Sequence, residues 1–274
     1  MKFINRSQAK KQVGTSYIGS INSSAKLIKN KKVSDNYTYI IYLAPADASG
    51  YNVCPNATKE CRLGCLATSG RVKIETYSKQ STIQNARVVK TQLFFEDRQF
   101  FMDWVVAEMR GFEAKAKRDG YAFSARLNGT SDIEWEHIVI DSEDGKTLFE
   151  LFPNCKFYDY TKNPARMVTA HLPSNYHLTF SYSGRNEYVS QKVLEQGKNV
   201  AVIYNLKKGQ PLPETWNGYP VIDADLTDYR PNDPAGTVAG LRWKVIANRA
   251  NNKAIKESCF VVQPEATVGV TVGV

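Results

Sequence analysis

Three of the five cysteines, Cys54, Cys61 and Cys65, fall within twelve residues at the spacing C-x(6)-C-x(3)-C. Cysteines buried as small hydrophobes keep apolar company. These three sit among Pro55, Asn56, Lys59, Glu60 and Gly64 instead. Thiolates that converge on one metal centre need a short, bendable segment, and Pro55 and Gly64 supply the bends. The pattern points to metal ligation by Cys54, Cys61 and Cys65; the plainer reading is of unrelated buried or free thiols.

A structural zinc site takes four closed ligands, often as two C-x-x-C pairs. The chain has no such pair, and only His137, His171 and His177 could add a nitrogen ligand. Three clustered thiolates suit an iron–sulfur cluster of the 4Fe-4S kind, with one iron open or held by a distant residue. Zinc is the alternative, because both metals take soft thiolates. Cys155 and Cys259 are the remaining thiols that could close the site. Both border apolar runs (Lys156-Phe157-Tyr158 and Phe260-Val261-Val262), where burial is the commoner fate.

The elements that must position these groups alternate along the chain. Residues 37–44 (YTYIIYLA) are aromatic and β-branched, a strand signal, and the cysteine loop at 52–71 follows it. Residues 78–95 and 97–118 read as helices, with Phe100, Trp104 and Ala107 at helical spacing and Asp119-Gly120 as a stop. Beyond them come short apolar runs at 121–127, 156–160, 177–183, 199–204, 219–225 and 240–245. Helical segments lie between them at 143–152, 163–171, 186–197 and 248–257. Alternation of this kind predicts an α/β fold, a mainly parallel sheet with crossover helices, barrel-like and either a complete or a partial TIM-type barrel. An open doubly wound sheet is the alternative, but no G-x-G-x-x-G follows any strand. The chain has no linker that divides it. Residues 1–36 are expected as a basic N-terminal arm or peripheral hairpin, 37–264 as one domain, and 265–274 as a tail.

In such a fold, functional groups gather where strands end. Arg126 lies near the end of one strand with Asn128 and Asp132 just beyond it, Lys162 follows the next, Ser183 ends the one after, and Arg242 lies in the last. Arg185 and Lys244 add charge nearby, and cations converging on one mouth would hold a carboxylate, a phosphate or a nucleic-acid backbone. The ordinary reading is that Asn, Gly, Ser and Asp are turn formers that reach solvent. Tyr158, Tyr160, Tyr182 and Tyr204 stand near the same ends, suited to core packing or to stacking on a base. No nucleophilic triad order, phosphate-binding Walker loop or H-E-x-x-H stretch is present.

With 274 residues, 42% of them hydrophobic and 23% charged, the chain is expected to fold around a sizeable core. No run approaches the ~20 apolar residues of a membrane span, and the basic N-terminus lacks the apolar stretch of a secretory signal. Five cysteines in this length suit no disulfide scaffold, so a reducing cytoplasm is the expected compartment. The net charge is +9, with eight cations and no acid in the first 32 residues. That arm is either a solvated face or a contact for phosphate, which makes nucleic acid a candidate partner and a small anionic ligand the other.

The segment Cys54-Pro55, Cys61 and Cys65-Leu66-Ala67-Thr68-Ser69-Gly70-Arg71 resembles a functionally unassigned, cysteine-rich group of bacteriophage proteins, the gene-product-eighty-eight type. Arg126-Leu127-Asn128-Gly129-Thr130-Ser131-Asp132, Tyr160-Thr161-Lys162 and Ser181-Tyr182-Ser183 agree with it in order. The same segments resemble, more distantly, the barrels of radical S-adenosylmethionine enzymes, where three cysteines after the first strand hold a four-iron cluster. That resemblance implies S-adenosylmethionine as a further cofactor and modification chemistry on a nucleic-acid or small anionic substrate. The host cytoplasm is then the implied location. Those enzymes usually space their cysteines C-x(3)-C-x(2)-C and carry a Gly-Gly-Glu run, and this chain does neither. The other function is a metal-stapled nucleic-acid-binding protein without catalysis.

Overall fold

The computed structural model describes residues 6–21, 28, 35–65, 82–169, 171–246 and 248–264. Residues 66–71 of the cysteine loop, 78–81 of the first expected helix, part of the basic arm and the tail at 265–274 lie outside the described residues.

The strands are β1 (Gly19–Ile21), β2 (Asn36–Ile41), β3 (Ala122–Arg126), β4 (Val139–Ile140), β5 (Lys146–Thr147), β6 (Lys156–Thr161), β7 (Tyr176–Ser181), β8 (Asn199–Tyr204), β9 (Thr215–Trp216), β10 (Tyr219–Asp223) and β11 (Val238–Arg242). Nine of them form one sheet in the order β1-β2-β3-β6-β7-β8-β11-β10-β9, and β4 and β5 make a separate hairpin. Every pairing from β2 through β10 is parallel. The two edges, β1 and β9, are antiparallel. The expected mainly parallel α/β sheet is therefore present. The complete barrel is not: among the described residues no pairing joins β1 to β9. Short antiparallel strands occupy both edges where closure would have to occur.

Side chains alternate across a strand, so one face of the sheet carries Tyr37, Tyr39, Phe123, Ala125, Phe157, Leu178, Phe180, Val200 and Val202, all buried. Helices Thr82–Glu96 and Arg98–Arg118 pair together, the latter on β2 and β3, while Glu187–Glu195 packs on β7 and β8. Arg98–Arg118 buries Phe101, Trp104, Val105 and Met109 at helical spacing. Asp97 caps it by accepting from the Phe100 amide, and Lys115, Lys117 and Arg118 sit in its last turn, where cations suit the helix dipole. Glu108 of this helix is buried and accepts from the Ile18 and Gly19 amides and from the Tyr39 hydroxyl. Burial pushes its carboxyl up. Part of the expected N-terminal arm is thus built into the sheet edge.

The opposite face is polar near the middle. Ser124 Oγ donates to Asn36 Oδ1 at 2.6 Å and lies 3.0 Å from Thr38 Oγ1. The connection from β10 to β11 lies over this face through Asp228 on Arg126, Tyr229 on Tyr158 and Pro234 on Asn199.

Several sequence boundaries shift. The strand expected to 44 ends at Ile41, and the run read as starting at 240 begins at Val238. Of the helix expected over 143–152, the first half belongs to the β4–β5 hairpin and one turn, Leu148–Leu151, is helical, opened by a Thr147–Glu150 capping box.

Candidate metal centre at the carboxyl ends of the strands

The cysteine loop leaves β2 through two successive turns, Ala48 N to Pro45 O and Gly50 N to Asp47 O, and folds back when the Val53 amide bonds to Ala46 O at 3.0 Å. Asn52 Oδ1 then accepts from the Cys54 amide, a local turn that only a short side-chain acceptor can make. Thr58 caps the short helix Lys59–Leu63 by accepting from the Cys61 amide, and the Gly64 amide closes it on Glu60 O. A Cβ at Gly64 would stand 3.1 Å from Glu60 O and 3.2 Å from both Ile255 and Trp243. The chain therefore runs against the C-terminal segment just before Cys65.

The loop after β3 packs directly on this one. Gly129 donates to Ile41 O at 3.0 Å and Asp132 to Val53 O at 2.8 Å. Thr130 Oγ1 donates to Leu43 O, and the Cys54 thiol lies 3.7 Å from Thr130 O. A Cβ at Gly129 would come within 2.5 Å of Ile41 O, so the two loops meet at backbone distance.

Burial pushes the Cys54 thiol up to about 12, and the Cys65, Cys61 and Asp132 charges push the same way, while the Ala46 amide opposes them. Cys61 and Cys65 are thus near enough to Cys54 for their charge to reach its sulfur. None of the three is in a disulfide, and none is fully buried. Among the described residues no three His, Cys, Asp or Glu side chains are gathered tightly enough to hold a metal ion. In donor chemistry the set fits a thiophilic metal: three sulfurs on one loop, with a backbone N–H aimed at one of them. A lone thiol raised this far is a poor nucleophile at neutral pH.

The loop's support comes from a buried polar knot. Asn128 Oδ1 accepts from Ser131, from the Ile133 amide and from Trp135 Nε1. Asp159 accepts from the Leu127 and Asn128 amides and from the Tyr176 hydroxyl. It is fully buried, and that burial pushes its carboxyl up to about 7. Asp132 accepts from the Lys162 amide at 2.8 Å and from Arg166 at 3.2 Å, while Arg166 also grips Glu136 with two bonds.

The six residues expected at the mouth separate into two groups. Asn128 and Asp132 lie against the cysteine loop, and Lys162 joins Asp132 through its amide, with its ammonium 5.9 Å from the Phe260 ring. Ser183 precedes Gly184, where a Cβ would fall 2.6 Å from the Cys259 carbonyl carbon. Arg126 and Arg242 are engaged elsewhere. Arg126 pairs with Asp228 beside Tyr158 and Tyr160. Burial opposes its charge most strongly, but Asp228, Tyr158, Tyr160 and Asp159 together outweigh that and hold its pKa above the ordinary value. Arg242 pairs with Asp223 and Asp225 near the far edge. Arg185 reaches Glu60 at 3.5 Å, and Lys244 reaches Asp225 at 3.8 Å.

Cys155 is buried before β6, at the amino ends of the parallel strands, and so stands across the sheet from the cysteine loop. Cys259 is exposed beside Gly184. His137 is exposed near Glu134, and His177 lies within β7. Ala46, Arg166, Glu136 and Trp243 hold the site, and nothing in their sequence neighbourhoods marks them. Their roles arise from contacts between distant segments.

No helix among the described residues is long and apolar enough to cross a membrane. No curated protein and no solved structure is significantly similar to the chain. Residues 6–261 match the family described as gene product 88, so the chain belongs to that bacteriophage gene-product family.

Proposed function

We propose that this protein carries an iron–sulfur cluster on Cys54, Cys61 and Cys65, set at the carboxyl mouth of a sheet that we read as an open, partial barrel. The observation that carries this reading is the placement of the three sulfurs. They share one loop after the first parallel strand, braced by the loop after the next. Parallel α/β sheets place their ligand sites at this end. Cys155 stands at the wrong end to close the set, which leaves the fourth position to Cys259, exposed beside Gly184 at the same end as the loop, or to an external ligand.

In that reading the cluster supplies electron transfer or Lewis acidity at the mouth, with S-adenosylmethionine or the substrate itself as the external ligand. The chain's residues provide the frame: Thr130 and Ala46 flank Cys54, and Asp132 fixes the loop. The substrate class is a nucleic acid or a small anion in the host cytoplasm. A second reading, a metal staple of iron–sulfur or zinc type in a nucleic-acid-binding protein, is favoured by the basic helix Arg249–Lys256 beside the loop.

Iron and acid-labile sulfide after anaerobic purification test the centre. A brown protein absorbing near ~400 nm is the expected result. A colourless protein with one tightly held zinc per chain would replace the cluster with the staple. Reductive cleavage of S-adenosylmethionine by dithionite-reduced protein then separates the enzyme from the binding protein.

A further inference from the structure

The helix Arg249–Lys256 reads RANNKAIK and contains no acid. Its one buried residue, Ile255, packs into a cluster with Trp243 and Phe260 and borders Gly64, which nails the helix to the cysteine segment. Arg249, Lys253 and Lys256 recur at i, i+4 and i+7, which aligns them as one stripe. With Val245, Asn252 and Glu257 they line an open groove of about 740 Å³.

Asn252 is committed to the floor, where it accepts from the Ile246 amide and donates to Ile246 O and Asn248 O. The cations are not committed in this way. Lys253 stands 4.0 Å from Glu257 with both side chains largely exposed, a pair of little energetic weight. Among the described residues neither Arg249 nor Lys256 has a carboxylate partner.

Seven residues of helix rise about 10 Å, and one strand of a nucleic-acid duplex presents a phosphate every ~3.4 Å of axis, so the stripe matches about three phosphates. A small ligand needs a pocket that encloses most of its surface. This groove is open instead, which suits a chain that passes through. Val245, 55% exposed, offers an apolar contact for a sugar or base face.

We propose that the Arg249–Lys253–Lys256 stripe binds the phosphate backbone of a nucleic acid and lays it beside the cysteine loop. The purpose of that delivery rests on the reading of the cysteine site above; the binding itself does not.

The test is fluorescence anisotropy of the full chain with labelled single- and double-stranded oligonucleotides between 50 and 200 mM salt, with metal content measured on the same sample. Three neutralised phosphates predict that affinity falls roughly 20- to 40-fold over that range. The triple variant Arg249→Ala, Lys253→Ala, Lys256→Ala is expected to bind at least ten-fold more weakly at 50 mM salt and to lose most of the salt slope. Lys253→Arg with Lys256→Arg should retain both. The pair Lys117→Ala, Arg118→Ala, exposed at the end of the helix that leads into the amino end of β3, should change neither. Circular dichroism verifies that each variant is folded. Unchanged binding by the triple variant overturns the proposal, as does the absence of oligonucleotide binding at 50 mM salt. Displacement by poly-glutamate at equal charge also overturns it and points to an acidic protein partner. A metal-free Cys61→Ser variant that binds with the wild-type salt slope supports the groove even if the cysteines hold no cluster.

Discussion

The Asp132 amide donates to the Val53 carbonyl at 2.8 Å, which stitches the loop after β3 to the residue directly before Cys54. The same aspartate binds the Lys162 amide and Arg166 through its carboxylate, so one residue ties the segments after β3 and β6 to the cysteine loop.

Asp132→Ala removes both carboxylate bonds and leaves Arg166, 2% exposed, with Glu136 as its remaining acidic partner. A loss of about 2–3 kcal/mol is expected, because charged donors are left partly unpaired in the interior. Thermal unfolding reads the loss. Metal should also leave the variant faster than the wild type on dialysis against a chelator, and equal retention would separate Asp132 from the centre.

Cys54→Ser, Cys61→Ser and Cys65→Ser should each abolish the ~400 nm absorbance of anaerobically purified protein. Cys155→Ala should keep it, because that thiol lies at the opposite end of the strands. Loss of colour in Cys155→Ala with unchanged thermal stability would contradict the placement.

Asp159 should give stability a pH signature. Its carboxyl is pushed up to about 7 by burial, so the folded protein binds this proton more tightly than the unfolded chain does. The contribution is therefore favourable at low pH and is lost as pH rises from about 4 toward about 7, a cost of order a few kcal/mol. Asp159→Asn removes the titration and keeps one acceptor oxygen, which can serve the Asn128 amide at Oδ1 but not also the Leu127 amide at Oδ2. Denaturant midpoints of the wild type relative to the variant should fall across that window, and parallel pH profiles would refute the assignment.

Gly184→Ala places a Cβ where φ is +81° and where the Cys259 backbone stands 2.6 Å away. The chain cannot accept both, and destabilisation of more than about 2 kcal/mol is expected. Amide exchange at 259–262 should accelerate before the rest of the fold opens, since this contact holds that segment against the end of β7. Uniform acceleration would show instead that the segment opens only with the whole molecule.

The cysteine spacing, the apolar runs behind β2, β3, β6, β7, β8, β10 and β11, and the helices ending at Glu96 and Arg118 were legible in the amino-acid sequence, because each rests on local periodicity and local caps. The edge strands β1 and β9, three and two residues long, were not. Strands so short have no period of their own and exist because a neighbour pairs with them. The 143–152 stretch carries helical residue types, yet only Leu148–Leu151 is helix, because the first half is drawn into the hairpin by the pairing of β5 with β4. Charge was the least legible property. Arg126 and Arg242 look like free cations at strand ends, but the folded chain delivers Asp228 to one and Asp223 and Asp225 to the other. Cys61 and Cys155 are the same residue type within one chain. The direction of a parallel strand sets them at opposite ends of the sheet, and only the tertiary structure could decide that, because which ends meet depends on contacts between residues far apart in the chain.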